Sequence, residues 1–218
     1  MPFTRSLGRG YLPFLLAVAG LFLLPPIAFS AIPPAGQVIT SRSLALYDLG
    51  GEHLSVFSNE VSSSVLAVRG PVVAPDGTVD APGRIARAYA GERATFPFVL
   101  RNGGNVDDAF DVRLAYPGPS DFVPARAAVY LDANRDSIIE TGEIAVSEIG
   151  PLAPGEEVAL VVEATLPGDL SGGEIANVNL VARSRADTSS WDRNNVVRIV
   201  ARAEAQVAGG RTDQASER

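Results

Sequence analysis

Phe110-Asp-Val-Arg-Leu114 alternates apolar and charged side chains without a break. Successive side chains of a strand point to opposite faces, so a period of two buries one face and wets the other. The same period recurs at Phe96/Phe98/Leu100, Val158/Leu160/Val162 and Val178/Leu180/Ala182. Further strand-like runs are 38–47, 54–57, 61–68, 127–131 and 196–200. Turn formers separate them, most clearly Asn102-Gly-Gly-Asn105 and Pro154-Gly155. After residue 31 no helical period competes with this pattern. About seven strands at roughly ten-residue spacing predict an all-β fold, an immunoglobulin-like antiparallel β-sandwich. It should occupy residues 84–204.

Residues 31–70 are expected to add an N-terminal β-hairpin. Gly36-Gln-Val-Ile-Thr40 and Ser58-Asn-Glu-Val61 match Gly173-Glu-Ile-Ala-Asn177 and Arg193-Asn-Asn-Val196. The hairpin is therefore a partial repeat of the sandwich's last two strands. A lone hairpin is marginal in water, so this one must pack on the main domain, pair with a partner's sheet edge or stay partly disordered. Residues 71–83, rich in Pro, Gly and Asp with a turn at Pro75-Asp-Gly77, are expected to be a linker. Residues 205–218 are expected to form a disordered tail.

The first thirty residues have the three parts of a secretory signal. Arg5 and Arg9 supply the positive start, 11–24 the apolar core, and Ala28-Phe-Ser30 the small residues at a cleavage site. A helix over 14–24 would reach about 17 Å, short of the ~30 Å hydrocarbon core, so cleavage after Ser30 is expected. The alternative is an uncleaved N-terminal anchor, the chain's one expected contact with a membrane. Either way the domain is exported to periplasm, cell surface or medium. The chain has no cysteine, so an exported domain must rely on core burial or a metal and not on disulfides.

All 18 basic residues are arginine. With no lysine there is no Schiff base, Ser-Lys dyad or phosphate-loop lysine. Losing the signal moves the formal charge from -7 to -9, which argues against nucleic acid as a partner.

Asp132-Ala-Asn-Arg-Asp-Ser-Ile-Ile-Glu-Thr-Gly-Glu143 places oxygen-bearing side chains at loop positions 1, 3, 5, 9 and 12. A twelve-residue Ca²⁺ loop needs that spacing. The expected ligands are Asp132, Asn134, Asp136, the Ile138 carbonyl, Glu140 through water, and Glu143, with Ile139 pointing inward. The loop follows a strand, so it is a clasped turn on a β domain and not an EF-hand. Its affinity should fall in the weak extracellular class, about 10⁻⁴–10⁻³ M.

Two stretches carry a family resemblance. One is Ala35-Gly-Gln-Val-Ile-Thr-Ser-Arg-Ser-Leu-Ala-Leu-Tyr47 with Ser58-Asn-Glu-Val61. The other runs from Gly91 through Leu114 and then Val129-Tyr-Leu-Asp-Ala-Asn-Arg-Asp-Ser137. Together they resemble the conserved-repeat domains of large bacterial surface proteins. The resemblance implies a β-sandwich exported to the cell envelope for display or adhesion, with no established enzyme activity. Ser137 departs from the family pattern, standing where loop position 6 expects a glycine turning with φ > 0. Sandwich modules appended to glycosidases share the Asn-x-Gly-Asn turn, which keeps an accessory carbohydrate-binding role as the alternative.

The remaining candidates are weaker. Asp107, Asp108 and Asp111 are expected to cap the neighbouring turn and solvate a strand face. His53, the only histidine, has no carboxylate or thiol partner suggested by spacing. No Gly-x-Ser-x-Gly elbow presents a serine, and a chain only 7% aromatic offers little for a glycosidase cleft, so no catalysis is expected. Trp191, the single tryptophan, lies in a polar turn. There it either folds back over the sandwich end or meets a sugar or protein partner. The expected partners are envelope or surface proteins.

Overall fold

The structure, a computed structural model, describes residues 32–203. The signal (1–30) and the tail (205–218) lie outside the described residues. Four short strands come first: β1 (Val38–Ser41), β2 (Leu44–Leu49), β3 (Glu52–Phe57) and β4 (Val61–Ser64). Ten more follow: β5 (Pro71–Ala74), β6 (Ile85–Ala88), β7 (Arg93–Asn102), β8 (Asp108–Ala115), β9 (Arg126–Leu131), β10 (Glu148–Leu152), β11 (Glu157–Thr165), β12 (Ile175–Ser184), β13 (Trp191–Asp192) and β14 (Val196–Ala201). The described residues are all-β.

Strands β5–β14 form two sheets around one core. One sheet has the order β10-β8-β12-β14-β6, with β13 beside β12, and the other β5-β7-β11-β9. The alternating residues do what their period dictates. Phe96, Phe98 and Leu100 of β7, Phe110 and Val112 of β8, Leu160 and Val162 of β11 and Val178 and Leu180 of β12 are all buried in a single cluster. Each such side chain contributes about 1.5–3 kcal/mol on leaving water. β12 is buried on both faces, and its outer asparagines are satisfied. Asn177 accepts from Arg198 Nε (2.9 Å), while Asn179 donates to the Arg193 carbonyl (2.7 Å) and accepts from Asn195 N–H (3.1 Å).

Six of these ten strands, β7, β8, β9, β11, β12 and β14, coincide with the runs read from spacing; the other four, β5, β6, β10 and β13, are too short to show a period. The stretch 71–83 is likewise not simply a linker. Its first four residues are β5, an edge strand paired with β7, and Val73 lies in the core. Pro71 is tolerated there because it opens an edge strand, where its missing N–H is no loss.

β1–β4 make one long hairpin. β1 pairs with β4, β2 with β3, and the chain turns at Gly50-Gly51, both at positive φ. An extra residue on the returning strand, near Ser58, separates the halves; Ser58 N–H donates to the Ser43 carbonyl (2.9 Å), and Ser58 Oγ accepts from Ser43 N–H (2.9 Å). The repeat relation extends to hydrogen bonding. Gly36 N–H donates to the Val65 carbonyl and Val65 N–H to that of Gln37, as Gly173 N–H does to Ala201 and Ala201 N–H to Glu174. The pairs Val38↔Ser64 through Ser41↔Val61 then superpose on Ile175↔Val200 through Val178↔Val197. This sets Asn59 on Asn195 and Val61 on Val197, one residue beyond the sequence match.

Candidate metal centre

The acidic loop is built by the end of β9. Pairing of β9 with β11 runs to Leu131, and Asp132 N–H donates to the Ala159 carbonyl (3.0 Å), fixing the first loop residue to the sheet. The chain returns alongside β9, with Leu131 N–H on the Ile144 carbonyl (3.3 Å) and Val146 N–H on that of Val129 (2.8 Å). The intervening residues are thus held at both ends. Arg135 and Ser137 turn the chain through left-handed φ values of 62° and 65°. Ser137 therefore adopts the conformation expected of glycine at that position, at a steric cost of about 1–2 kcal/mol.

Asp132 is the most constrained group of the loop. It is 3% exposed; its Oδ2 accepts from Ser137 N–H (3.0 Å), and its Oδ1 is buried with no donor. A buried carboxylate oxygen without a partner costs at least about 1–3 kcal/mol, and a cation would relieve that cost. Two side-chain turns follow: Asn134 Oδ1 accepts from Asp136 N–H (3.3 Å) and Asp136 Oδ1 from Ile138 N–H (2.8 Å). Asn134 Nδ2 joins Asp136 (3.0 Å) to Glu140 (3.3 Å), and Glu143 Oε2 accepts from Glu140 N–H (3.2 Å). Ile139 is half-buried and Ile138 exposed.

The structure thus brings Asp132, Asn134, Asp136, Glu140 and Glu143 into one bonded loop. It does not converge their carboxylates: among the described residues no group of three or more His, Cys, Asp or Glu side chains forms a metal cage. Asp132 Oδ1 is the loop's one buried oxygen left without a donor. A cleft of about 320 Å³ lies beside it, lined by Arg84, Pro97, Val99, Arg135 and Ala159 among others.

The second acidic cluster divides. Asp111 bridges Arg183 (2.9 Å) and Arg185 (3.5 Å) on the wet face of β8. Asp108 is instead buried and fully partnered by Ala109 N–H, Ser184 Oγ (2.6 Å) and Arg69 (3.4 Å). Its partner Ser184 is 76 positions away, which spacing alone does not reveal. His53 does have a carboxylate partner: the register Asp48↔His53 sets the two side by side at the hairpin tip. Trp191 is 42% exposed, with the Arg193 guanidinium 3.9 Å over its ring, so a cation covers one indole face.

Sequence reasoning also missed the role of Asn102-Gly-Gly-Asn105. Asn102 donates to the Val106 and Leu152 carbonyls and accepts from Gly104 N–H, each at 2.9 Å. Asn105 grips both ends of the hairpin: it donates to the carbonyls of Pro33 (3.2 Å) and Leu66 (3.0 Å) and accepts from Val68 N–H (2.7 Å). A side chain at Gly104 would meet the Val68 carbonyl at 2.4 Å, so only glycine allows this approach.

No protein-family model and no curated protein matches the chain. Solved structures show weak likenesses. A family 123 glycoside hydrolase from Clostridium perfringens is 9% identical at a TM-score of 0.34, over 64% of this chain and 28% of its own length. Domains 4 and 5 of the S-layer protein SbsC are 12% identical at 0.29, covering 79% of this chain and 75% of theirs. The human CEP192 PapD-like domain is 8% identical at 0.32, covering 61% and 84%. This chain spans little more than a quarter of the hydrolase, and nothing about its chemistry is carried over from any of the three.

Proposed function

We propose that this chain is a non-catalytic structural and interaction module exported to the cell envelope or surface, of the conserved-repeat kind. The observation that carries this reading is the hairpin. Asn105 holds it at its base, and both its faces lie in solvent with Val38, Ile39, Leu44, Leu46, Tyr47 and Phe57 exposed. Apolar surface of this extent on one element marks an interaction site. The sandwich is the mount that presents it.

The immunoglobulin-like reading is supported by strand order. β5-β7-β11-β9 corresponds to the A-B-E-D sheet of that fold, and β8-β12-β14 to C-F-G. Ca²⁺ would act on the mount as a staple, drawing together Asp132, Asn134, Asp136, the Ile138 carbonyl, Glu140 through water, and Glu143. The unpartnered Asp132 Oδ1 and the glycine-like turn at Ser137 support that assignment. A bound cation would tie the β9 end to the return segment and raise stability by mass action.

Cell fractionation with crosslinking tests the proposal. The expected result is full chain in the envelope or surface fraction, crosslinked to protein. Recovery in the cytosol alone, or hydrolysis of a glycan by the purified chain, overturns it.

A further inference from the structure

The sheet edges of this molecule are treated in two ways. Exposed edge strands template pairing with other chains, and proteins blunt them with Pro, charge, bulges or cover. Each sandwich edge carries such a device. β5 opens on Pro71, and its Val73 N–H is capped by Asp192 Oδ2 (2.9 Å). β9 is covered by the returning segment through the bridge Tyr130↔Ala145. β10 contains Pro151 and a register shift between Ile149 and Leu152. β6 is four residues long, with exposed Arg84 before it and Arg87 within it.

The β2–β3 half of the hairpin has neither a proline nor, among the described residues, a covering segment. Residues 38–64 contain no proline and no lysine. Its stem and blade also differ. β1 and β4 set Thr40, Ser41, Ser62, Ser63 and Ser64 among Val38, Ile39 and Val61, a mixed stem. β2 and β3 are apolar on both faces: Leu44, Leu46 and Phe57 on one, Tyr47, Leu49, Leu54 and Val56 on the other. β3 bears Glu52 at its tip end, next to His53, and no arginine. β2 is flanked by Arg42, stacked 4.2 Å over Phe57, and carries Asp48 near the tip.

These charges are placed for self-pairing. We propose that the free edge of β2 pairs antiparallel with β2 of a second copy of this chain, centred on Ala45. This register sets Arg42 opposite Asp48 of the second copy, and Leu44 opposite its Leu46 on the same face. The two-fold axis repeats both contacts, giving an isologous interface that needs only one patch. Directly opposed side chains are the unit of sheet stabilisation, and opposite charges there favour the register while like charges oppose it. The result is a four-stranded sheet shared between copies, with the sandwiches carried outward on their β1–β4 stems. This inference rests on the reading of the chain as an interaction module and names its partner.

Sedimentation equilibrium of the full chain across a dilution series tests it, with R42D, D48R and the double variant. Both positions are exposed, so the sandwich melt should not change. The expected result is a monomer–dimer equilibrium that each single reversal weakens by about tenfold and the double reversal restores, because two opposed pairs per dimer are affected. A monomer at every concentration overturns the pairing, as does a dimer indifferent to both reversals. Either result leaves the surface-module reading standing, since fractionation tests that separately.

Discussion

The sandwich strands and the hairpin strands are made from similar residues and have opposite fates. β12 and β14 share a register and a glycine-led hydrogen-bond pattern with β1 and β4. In the sandwich that hairpin is clamped between β8 and β6, and its apolar residues are buried except for the half-buried Ile175 and Val200. Among the described residues the same pairing in the N-terminal copy has no neighbour on either edge. Local pairing geometry is therefore encoded in the strands themselves, whereas burial depends on which neighbours the rest of the chain supplies.

The largest expected effect separates the two regions by substitution of leucine. Leu160 is 0% exposed and Leu46 74% exposed. Leu160→Ala should cost about 2–5 kcal/mol in denaturant unfolding, and Leu46→Ala within about 0.5 kcal/mol at monomer concentrations. Comparable costs at the two sites would show that the hairpin packs against something in the isolated chain.

Next in size is the joint between the regions. Asn105→Ala removes the donor to Pro33 and Leu66 and the acceptor for Val68, and should cost about 1–3 kcal/mol. Its signature is faster proteolysis within 33–68 with little change in 84–201. Uniform loss of protection across both regions would contradict a local joint.

A smaller effect concerns the mount. Ca²⁺ at about ten times its dissociation constant should add about 1.4 kcal/mol to stability. Thermal melts in chelator and in millimolar Ca²⁺ measure it, and Asp132→Asn should abolish the response. Identical melts for the native chain would remove Ca²⁺ from the account.

The smallest effect is one of pH. The Glu174 carboxyl is held below the ordinary glutamate range by Ser171 N–H, then by its own N–H and that of Gly172. A depressed carboxyl stabilises the fold above the unfolded-state value, and that contribution is lost as pH falls through the lower folded value. Acid titration of stability should therefore be shallower in Glu174→Gln, while an unchanged slope would remove Glu174 from the acid response.

The sequence made the long strands legible. Phe96/Phe98/Leu100 and Phe110/Val112 alternate over enough residues to declare a face, and they are core residues. β5 and β6 are four residues each, and Pro71 disguised β5 as linker. The order of acidic residues in 132–143 was readable, but the burial of Asp132 depends on β9 pairing with β11, which no local pattern states. The grip of Asn105 on Leu66 spans 39 positions and the Asp108–Ser184 bond 76, so both appear only once the chain is folded.

Amide hydrogen exchange on the full chain, followed at rising protein concentration, tests the contrast most directly. The N–H groups of Leu44–Leu49 that face away from β3 should exchange freely in dilute solution and become protected as copies meet, while those of β11 stay protected throughout. Exchange along β2 that is slow at every dilution, or fast at every concentration, would contradict an open edge completed by a second copy.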